Sequence, residues 1–548
     1  MIKLNNIRSL AATAVAVTAM MMGQYANAQK LMIMADPHFL SPTLMQNGGT
    51  ALQNAIKNDN KMFDQADAAV DAFIEQAIAA KPDGVLIPGD LTYQGEKTSH
   101  QDMAAKLQRL VDAGIAVWVI PGECDVNNTA AKSFAGGTAK STTYINSTDF
   151  ASIYANMGYN AAIERDANSL SYTCEPLPGL VMIAIDDNMS KQRDSNKSTA
   201  ANGLSTNTLN WIYAKADEAI NGGKQVIAMM HHHFVEHIDQ QSSLMANAFL
   251  TNAVNLRSNF LKHGIRLILN GHMHFTDATK IMNSARNDGI TEVATGSIVA
   301  YPCYYRTMTM NDNRNKFTFA TSKLTKTAKQ SNYTNYAKQR LNQAVTPTTT
   351  KLIDANWDKI NEKLSAYSDF FTISKADFTN CVIQGMGSTI SEGCCIMNEG
   401  NENQKDNSGF RSRLDAGIDN TVSMMLSGMS SYLIDYAKPM AKDAIYEIVN
   451  PPLNSMLADC TNYGTSSANI VNDLVPAITL PTPKDVHIKG DVNGDDRVDI
   501  ADVNILLNII LGFDSVSKYG NRAYITPGTT VDIADVNLLI NILLGLAN

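Results

Sequence analysis

The chain has 548 residues, 45% of them hydrophobic, and a formal net charge of −9. That length suits three or four domains and that composition a sizeable core. An acidic balance is the wrong sign for a nucleic-acid-binding face, so no such surface is indicated.

At the N-terminus Lys3 and Arg8 precede an apolar stretch over 10–23, and Ala26-Asn27-Ala28 fits the small-x-small cleavage pattern. The expectation is a signal peptide over 1–28, with a mature chain starting near Gln29 that is exported to the periplasm, cell surface or medium. The apolar stretch is too short to span a bilayer, and no other segment reads as a span. No cysteine follows the cut, so no lipid anchor is indicated. Seven cysteines (124, 174, 303, 381, 394, 395 and 460) permit disulfides in an exported chain without dictating them. The odd count leaves one thiol over, and Cys124 is the nominee.

Residues 31–38 read Leu-Met-Ile-Met-Ala-Asp-Pro-His, a short apolar strand ending in Asp36 and His38. On extended backbone these i, i+2 side chains share a direction, and oxygen and nitrogen donors at a strand end suit a divalent metal. Residues 62–80 carry apolar positions at helical spacing, and 84–90 is a second apolar strand, ending in Gly89-Asp90. A helix over 99–112 follows, with Ser99 as N-cap. A third strand ends in Gly122-Glu123-Cys124-Asp125. Residues 127–168, rich in Asn, Thr, Ser and Ala, form a long insertion, a candidate substrate-facing lid. Residues 179–186 return to the sheet and 206–220 form a helix. Residues 225–233 make a strand ending in His231-His232-His233. After a helix near 244–262, another strand runs into Gly271-His272-Met273-His274. Residues 291–325 alternate as strands do and are expected to close the second sheet. Five strands thus end in metal-type donors, and in an open α/β sheet sites form beyond the carboxyl ends of strands.

The order Asp-x-His, Gly-Asp, Gly-x-x-Asp, His, Gly-His-x-His resembles that of the calcineurin-like metallophosphoesterases, which include the purple acid phosphatases. The resemblance covers about 30–325, and residues 89–96 and 169–172 look like a secreted bacterial subgroup. It implies an α/β fold, a two-sheet β-sandwich flanked by helices, holding two divalent ions (Mn, Fe or Zn). Carried over, Asp36, His38 and His274 hold the first ion, His231 and His272 the second, and Asp90 bridges both. His231 is preferred among the three histidines because it directly follows the apolar run. His232 then points away and donates to substrate or to the ligands' surroundings, and His237 is a surface or supporting residue. The implied reaction is attack of metal-bound hydroxide on a phosphate mono- or diester.

Position 123–125 departs from that pattern, which has Asn-His-Asp there. Glu123 offers oxygen to the second ion but brings a third carboxylate. Cys124 cannot act as the phosphate-contacting cation, and Asp125 orients the loop. Asp90, Cys124, Asp125 and His232 are therefore the candidate catalytic positions of an enzyme with weakened or altered turnover. The competing reading is a non-catalytic metal- or ligand-binding module.

Residues 326–480 show helical period at 351–365 and 422–449 around a polar loop at 398–407, and read as a helical accessory region. Residues 481–488 are a linker. The C-terminus holds a repeat: Val498-Asp499-Ile-Ala-Asp-Val-Asn504 recurs 33 residues later at 531–537. Asp491, Asn493, Asp495, Asp499 and Asp502 stand at loop positions 1, 3, 5, 9 and 12, with the Arg497 carbonyl at 7, the spacing of a calcium loop. The repeat over 489–548 resembles a dockerin module, a small all-α calcium-loop domain, and implies a cohesin-like or cell-surface partner. In the second copy Tyr524, Thr526 and Gly528 replace the early ligands, leaving Asp532 and Asp535. One good calcium site and one weak or empty site are expected.

Overall fold

A computed structural model describes residues 29–548 except 196–201, 239–240, 286, 367, 370, 401–406, 458–475, 484–489, 495–496, 527–529, 545 and 547–548. The signal peptide, Cys460, Asp495, Gly528 and most of the polar loop and of the linker lie outside the described residues.

The first sheet begins with β1 (Gln29–Ile33), β2 (Gly84–Pro88) and β3 (Ala116–Ile120), mutually parallel, with Leu31 opposite Gly84 and Gly84 opposite Ala116. All five residues of β2 are buried, which is why this segment reads as an unbroken apolar run rather than an alternating one. The crossovers are α1 (Ala66–Ala80) and α2 (Lys97–Asp112). The first starts later than its period suggests because residues before it form a turn, Met62 N donating to Val299 O at 2.8 Å. In α2 Glu96 takes the cap position, and Ser99 instead accepts the Ser41 amide at 3.1 Å.

The 127–168 insertion is not a lid. It carries the small hairpin β4 (Lys132–Ser133) and β5 (Lys140–Ser141), a helix at Ser147–Ile153 and β6 (Glu164–Arg165). Its Phe150, Tyr154 and Tyr159 are buried in the same core as Val119 and Leu107. The polar composition reflects its outer face, while its aromatic residues close the sandwich.

The second sheet runs β11 (Asp277–Met282), β12 (Gly289–Ala294), β10 (Leu267–Asn270), β9 (Gln225–Met229), β8 (Leu180–Ala184), β7 (Tyr172–Leu177) and β6. Its centre, β12-β10-β9-β8, is parallel. Helices α3 (Thr206–Asn221) and α4 (Ala253–Lys262) cover its outer face, where Ile212 and Phe260 meet Val226 and Ile268. Its inner face packs Ile227 and Leu269 against the first sheet's Leu31 and Leu86. β13 (Tyr304–Met310), antiparallel to β1, and β14 (Lys316–Lys323) complete the first sheet rather than the second, because β13 pairs with β1.

Four helices follow: α5 (Tyr333–Ser365), α6 (Lys375–Asn398), α7 (Ser408–Met425) and α8 (Ser431–Met456). The first runs through Pro347, so it begins well before the stretch whose period is visible. The single helix expected over 422–449 is two, broken near Gly428, whose φ of 98° is left-handed. The segment is not wholly helical. Its end, β15 (Ala477–Thr479), returns to the first sheet and pairs Ile478 with Phe317 of β14. The helices pack on the sandwich through Arg340, which donates to Asp64 Oδ1 at 3.0 Å, and Asn398, which donates to Tyr301 O at 3.1 Å.

The repeat forms α9 (Ile500–Ile510) and α10 (Ile533–Leu543), sharing a core of Val492, Val503, Leu506, Val536 and Leu539. Each opens on a capping box, Asp499 with Asp502 and Asp532 with Asp535. All six described cysteines are unpaired. Among the described residues no helix is long and apolar enough to cross a membrane.

Candidate metal centre

The carboxyl ends of β1, β2, β3, β9 and β10 meet at one edge of the sandwich, and each delivers its donors there. Asp36, His38, Asp90, His272 and His274 all adopt left-handed backbone, with φ between 40° and 69°. For such residues this conformation is uncommon, and it turns each side chain back over the strand end. The glycines beside them answer a different need. A Cβ on Gly122 would collide with Asp90, and one on Gly271 with Asp36.

On one side Asp36, His38 and His274 converge, with His38 Nε2 and His274 Nε2 2.9 Å apart. On the other Glu123, His231 and His272 converge, with His231 Nε2 and His272 Nδ1 3.1 Å apart and His272 Nδ1 3.1 Å from Glu123 Oε2. Asp90 stands between: Oδ2 is 3.5 Å from His38 Nε2 and Oδ1 3.7 Å from His231 Nε2. Asp36 also belongs to both sides, grouping with Asp90 and His231. Supporting contacts fix the ligands. His231 Nδ1 lies 2.8 Å from Pro88 O, so a proton there leaves Nε2 to face the cluster. Asp36 accepts the His272 amide at 2.9 Å, and Asp90 accepts the Cys124 amide at 2.9 Å.

Burial pushes the Asp36 and Asp90 carboxyls up, Asp90 and Glu123 adding to the effect at Asp36 and Glu123 at Asp90. Burial also lowers His38 and His274, the latter to about 3. Neutral imidazole nitrogens set face to face beside crowded carboxylates are the donor set of a cation, which would relieve each of these costs. The residues fit a pair of divalent ions.

Cys124 also touches this cluster, grouping with His38 and Asp90, but its thiol is pushed well up by burial and by Asp90 and Glu123. Asp125 does not face the centre. Its carboxylate accepts the amides of Leu91, Thr92 and Gly122 at 3.0, 2.9 and 2.9 Å, and the Thr92 hydroxyl at 2.8 Å, tying two strand-end loops together. His232 does not point away: its ring lies 4.6 Å from that of His272, and its Nε2 is 4.0 Å from Glu123 Oε2. Asp187, unmarked by any motif, accepts its amide at 2.8 Å.

His237 is not on the surface. It is fully buried with His233, Glu292 and Asp277: Glu292 Oε1 lies 2.7 Å from His233 Nδ1 and 2.9 Å from His237 Nε2. The other Glu292 oxygen accepts the Phe234 and Val235 amides at 2.8 and 3.0 Å, so this network fixes the loop after the His231 strand. The lone glutamate of an apolar strand gave no sequence signal of it beyond being polar in a buried position.

In the C-terminal repeat Asp491 Oδ1 accepts the Gly494 amide at 2.7 Å, and Asp502 accepts the amides of Val492, Asn493 and Asp499. Asp535 holds Thr526 and Asp532 in the same way. These carboxylates shape their turns.

Residues 29–275 match the family model described as Calcineurin-like phosphoesterase, and this region of the chain is a calcineurin-like metallophosphoesterase domain. A dinuclear metal site is typical of that family. Among solved structures, the chain is similar to a dimetal phosphatase from Danio rerio, with 12% identity over 54% of this chain and 96% of that one and a TM-score of 0.40. It is also similar to a purple acid phosphatase from yellow lupin (Lupinus luteus) seeds, with 10% identity, a TM-score of 0.35, and coverage of 54% of this chain and 52% of that one. The chain thus spans about half the length of the lupin protein. No curated protein matches the chain.

Proposed function

We propose that the protein is an exported phosphoric-ester hydrolase with two divalent ions at the meeting point of the five strand ends. The observation that carries this is the position of Asp90, within 4 Å of imidazole nitrogens from both halves of the cluster. Asp36, His38 and His274 would hold one ion, Glu123, His231 and His272 the other, with Asp90 between. Such a pair lowers the pKa of water and neutralises charge on the attacking and leaving oxygens of a displacement at phosphorus. The chain's own role is positional. Pro88 O keeps the His231 proton on Nδ1, Asp125 fixes the Asp90 and Glu123 loops, and the Asp187-held backbone of His232 sets that imidazole beside His272.

Glu123 is the reason turnover is expected to be weak. Its charge offsets that of the ions and reduces their pull on an anionic substrate. A non-catalytic metal-binding module is the second reading, favoured by the buried, neutral thiol at 124. Metal analysis beside hydrolysis of aryl phosphate mono- and diesters separates the two. Metal-dependent turnover lost in Asp90→Asn is the expected result; bound metal without turnover of any ester supports the module.

For the tail we propose a dockerin-like module over 489–548 with one calcium site at the 491–502 loop, docking a cohesin-like or cell-surface partner. The repeat and its ligand spacing support this reading.

A further inference from the structure

Two cations lie on segments tied to the strand-end loops, and among the described residues neither side chain makes a hydrogen bond or an ion pair. The Lys61 ammonium lies 5.6 Å over the Tyr93 ring and makes no hydrogen bond or ion pair among the described residues. Asp59 beside it is committed elsewhere, accepting the Lys61 amide and the Tyr93 hydroxyl, both at 3.0 Å. Burial alone would lower this ammonium, but Cys124 and the carboxylates of Asp59, Asp90 and Glu123 outweigh it and hold it charged. Tyr93, the ring that Lys61 covers, stands three residues after the proposed bridging carboxylate Asp90.

Arg193 sits on the short helix Ser190–Ser195, which Ser190 pins by donating to Asp186 Oδ1 at 2.8 Å and Asn127 by donating to Asp194 Oδ1 at 2.7 Å. The side chain is only 9% exposed, and its Nη1 is buried with no hydrogen-bond partner. Burial lowers the guanidinium against the pull of Asp186, Glu123 and Cys124. Asp186 is already occupied by the Leu170 and Asn188 amides and the Ser190 hydroxyl.

An unpaired buried guanidinium is costly unless something from outside completes it. Asn127, which donates to Ser190 O and Asp194 Oδ1 of the Arg193 helix, stands four residues after Glu123, so the two cations flank the loops that carry Asp90 and Glu123. We propose that Lys61 and Arg193 are the phosphoryl-binding pair of this centre, and that the ligand they complete is a terminal phosphate monoester. A monoester dianion offers three terminal oxygens and two charges, whereas a diester offers two and one. Arg193 supplies directional N–H donors and Lys61 a point charge. The inference rests on the phosphoric-ester reading and specifies its substrate class.

The test uses the full chain loaded with Mn, titrated with inorganic phosphate by calorimetry, with metal content and melting temperature measured on every variant. Lys61→Met and Arg193→Met are each expected to weaken phosphate by about tenfold or more, with metal content unchanged. Lys61→Arg and Arg193→Lys should restore most of the affinity. The kcat/KM for an aryl phosphate monoester should fall further than that for the matching diester. Phosphate bound equally by the Met variants and the unsubstituted chain overturns the pair while leaving the metal-centre reading intact. Met variants that lose metal or fold, or charge-conserving variants that fail as badly as Met, also overturn it by showing a structural role. If the unsubstituted, metal-loaded chain neither binds phosphate nor hydrolyses any ester, the phosphoric-ester reading itself falls and takes this inference with it.

Discussion

Position 123 decides how strongly this centre can attract an anion. Glu123 contacts His231, lies 3.1 Å from His272, and is held well below the ordinary carboxylate range by those imidazoles despite its burial. It therefore stays charged. Replacing Glu123 and Cys124 together by Asn and His removes one negative charge and supplies an imidazole, and should raise diester turnover by on the order of a hundredfold. Steady-state kinetics on the metal-loaded double variant measure this; an unchanged rate would mean that 123–124 does not limit the enzyme. The His237 network gives a second residue-scale expectation. Burial alone would lower His237, but Asp277 and Glu292 outweigh it and push the imidazole up to about 9. The folded value exceeds the unfolded one near 6.5, so the stabilisation is complete below about pH 6.5 and is lost as pH rises through about 9. Melting curves from pH 6 to 10 should show that loss, and Asp277→Asn should flatten it.

At the scale of elements, the strand ends were legible and the pieces that brace them were not. An Asp or His after an apolar run marks a strand end in one reading of the chain, so Asp36, Asp90, His231 and His272 could be placed before any coordinates. Asp187 and Glu292 carry no such mark, because bracing depends on which strands are neighbours rather than on local spacing. The lid expected at 127–168 failed for a related reason. A polar composition describes the outward residues of a segment, and Phe150, Tyr154 and Tyr159 face inward. The helix over 333–365 was half hidden by Pro347, a residue that weakens a helix but does not always end it. Close approach at the strand ends yields a test. Gly122→Ala places a methyl against Asp90, which should cost about 1–3 kcal/mol of stability and lower the metal content of the purified protein. Full metal retention would show that the loops yield instead.

Across the whole molecule, three kinds of core sit in sequence: a sandwich, a helical layer and a two-helix repeat. The repeat was the easiest of these to see, since its two copies share seven residues in unbroken order, Val-Asp-Ile-Ala-Asp-Val-Asn, at 498–504 and 531–537. Calcium added to the full chain, with the other centre already saturated by Mn, should give one binding event, absent in Asp491→Ala. Two events would mean that Asp532 and Asp535 suffice for a site, and none would leave both loops as capped turns.

The return of Ile478 to the side of Phe317 has a mechanical consequence. The chain leaves the sandwich at the end of β14, makes four helices, and comes back to the same strand before the tail departs. A pull on the tail would meet first the contacts of Thr482, Pro481 and Leu480 with Asn315 and Gln225, and then the three residues of β15 at the margin of the sheet. Load would be spent undoing that margin before it reached β1 or the acids and imidazoles beyond it, so for a tail held by a partner the short edge strand would act as a fuse.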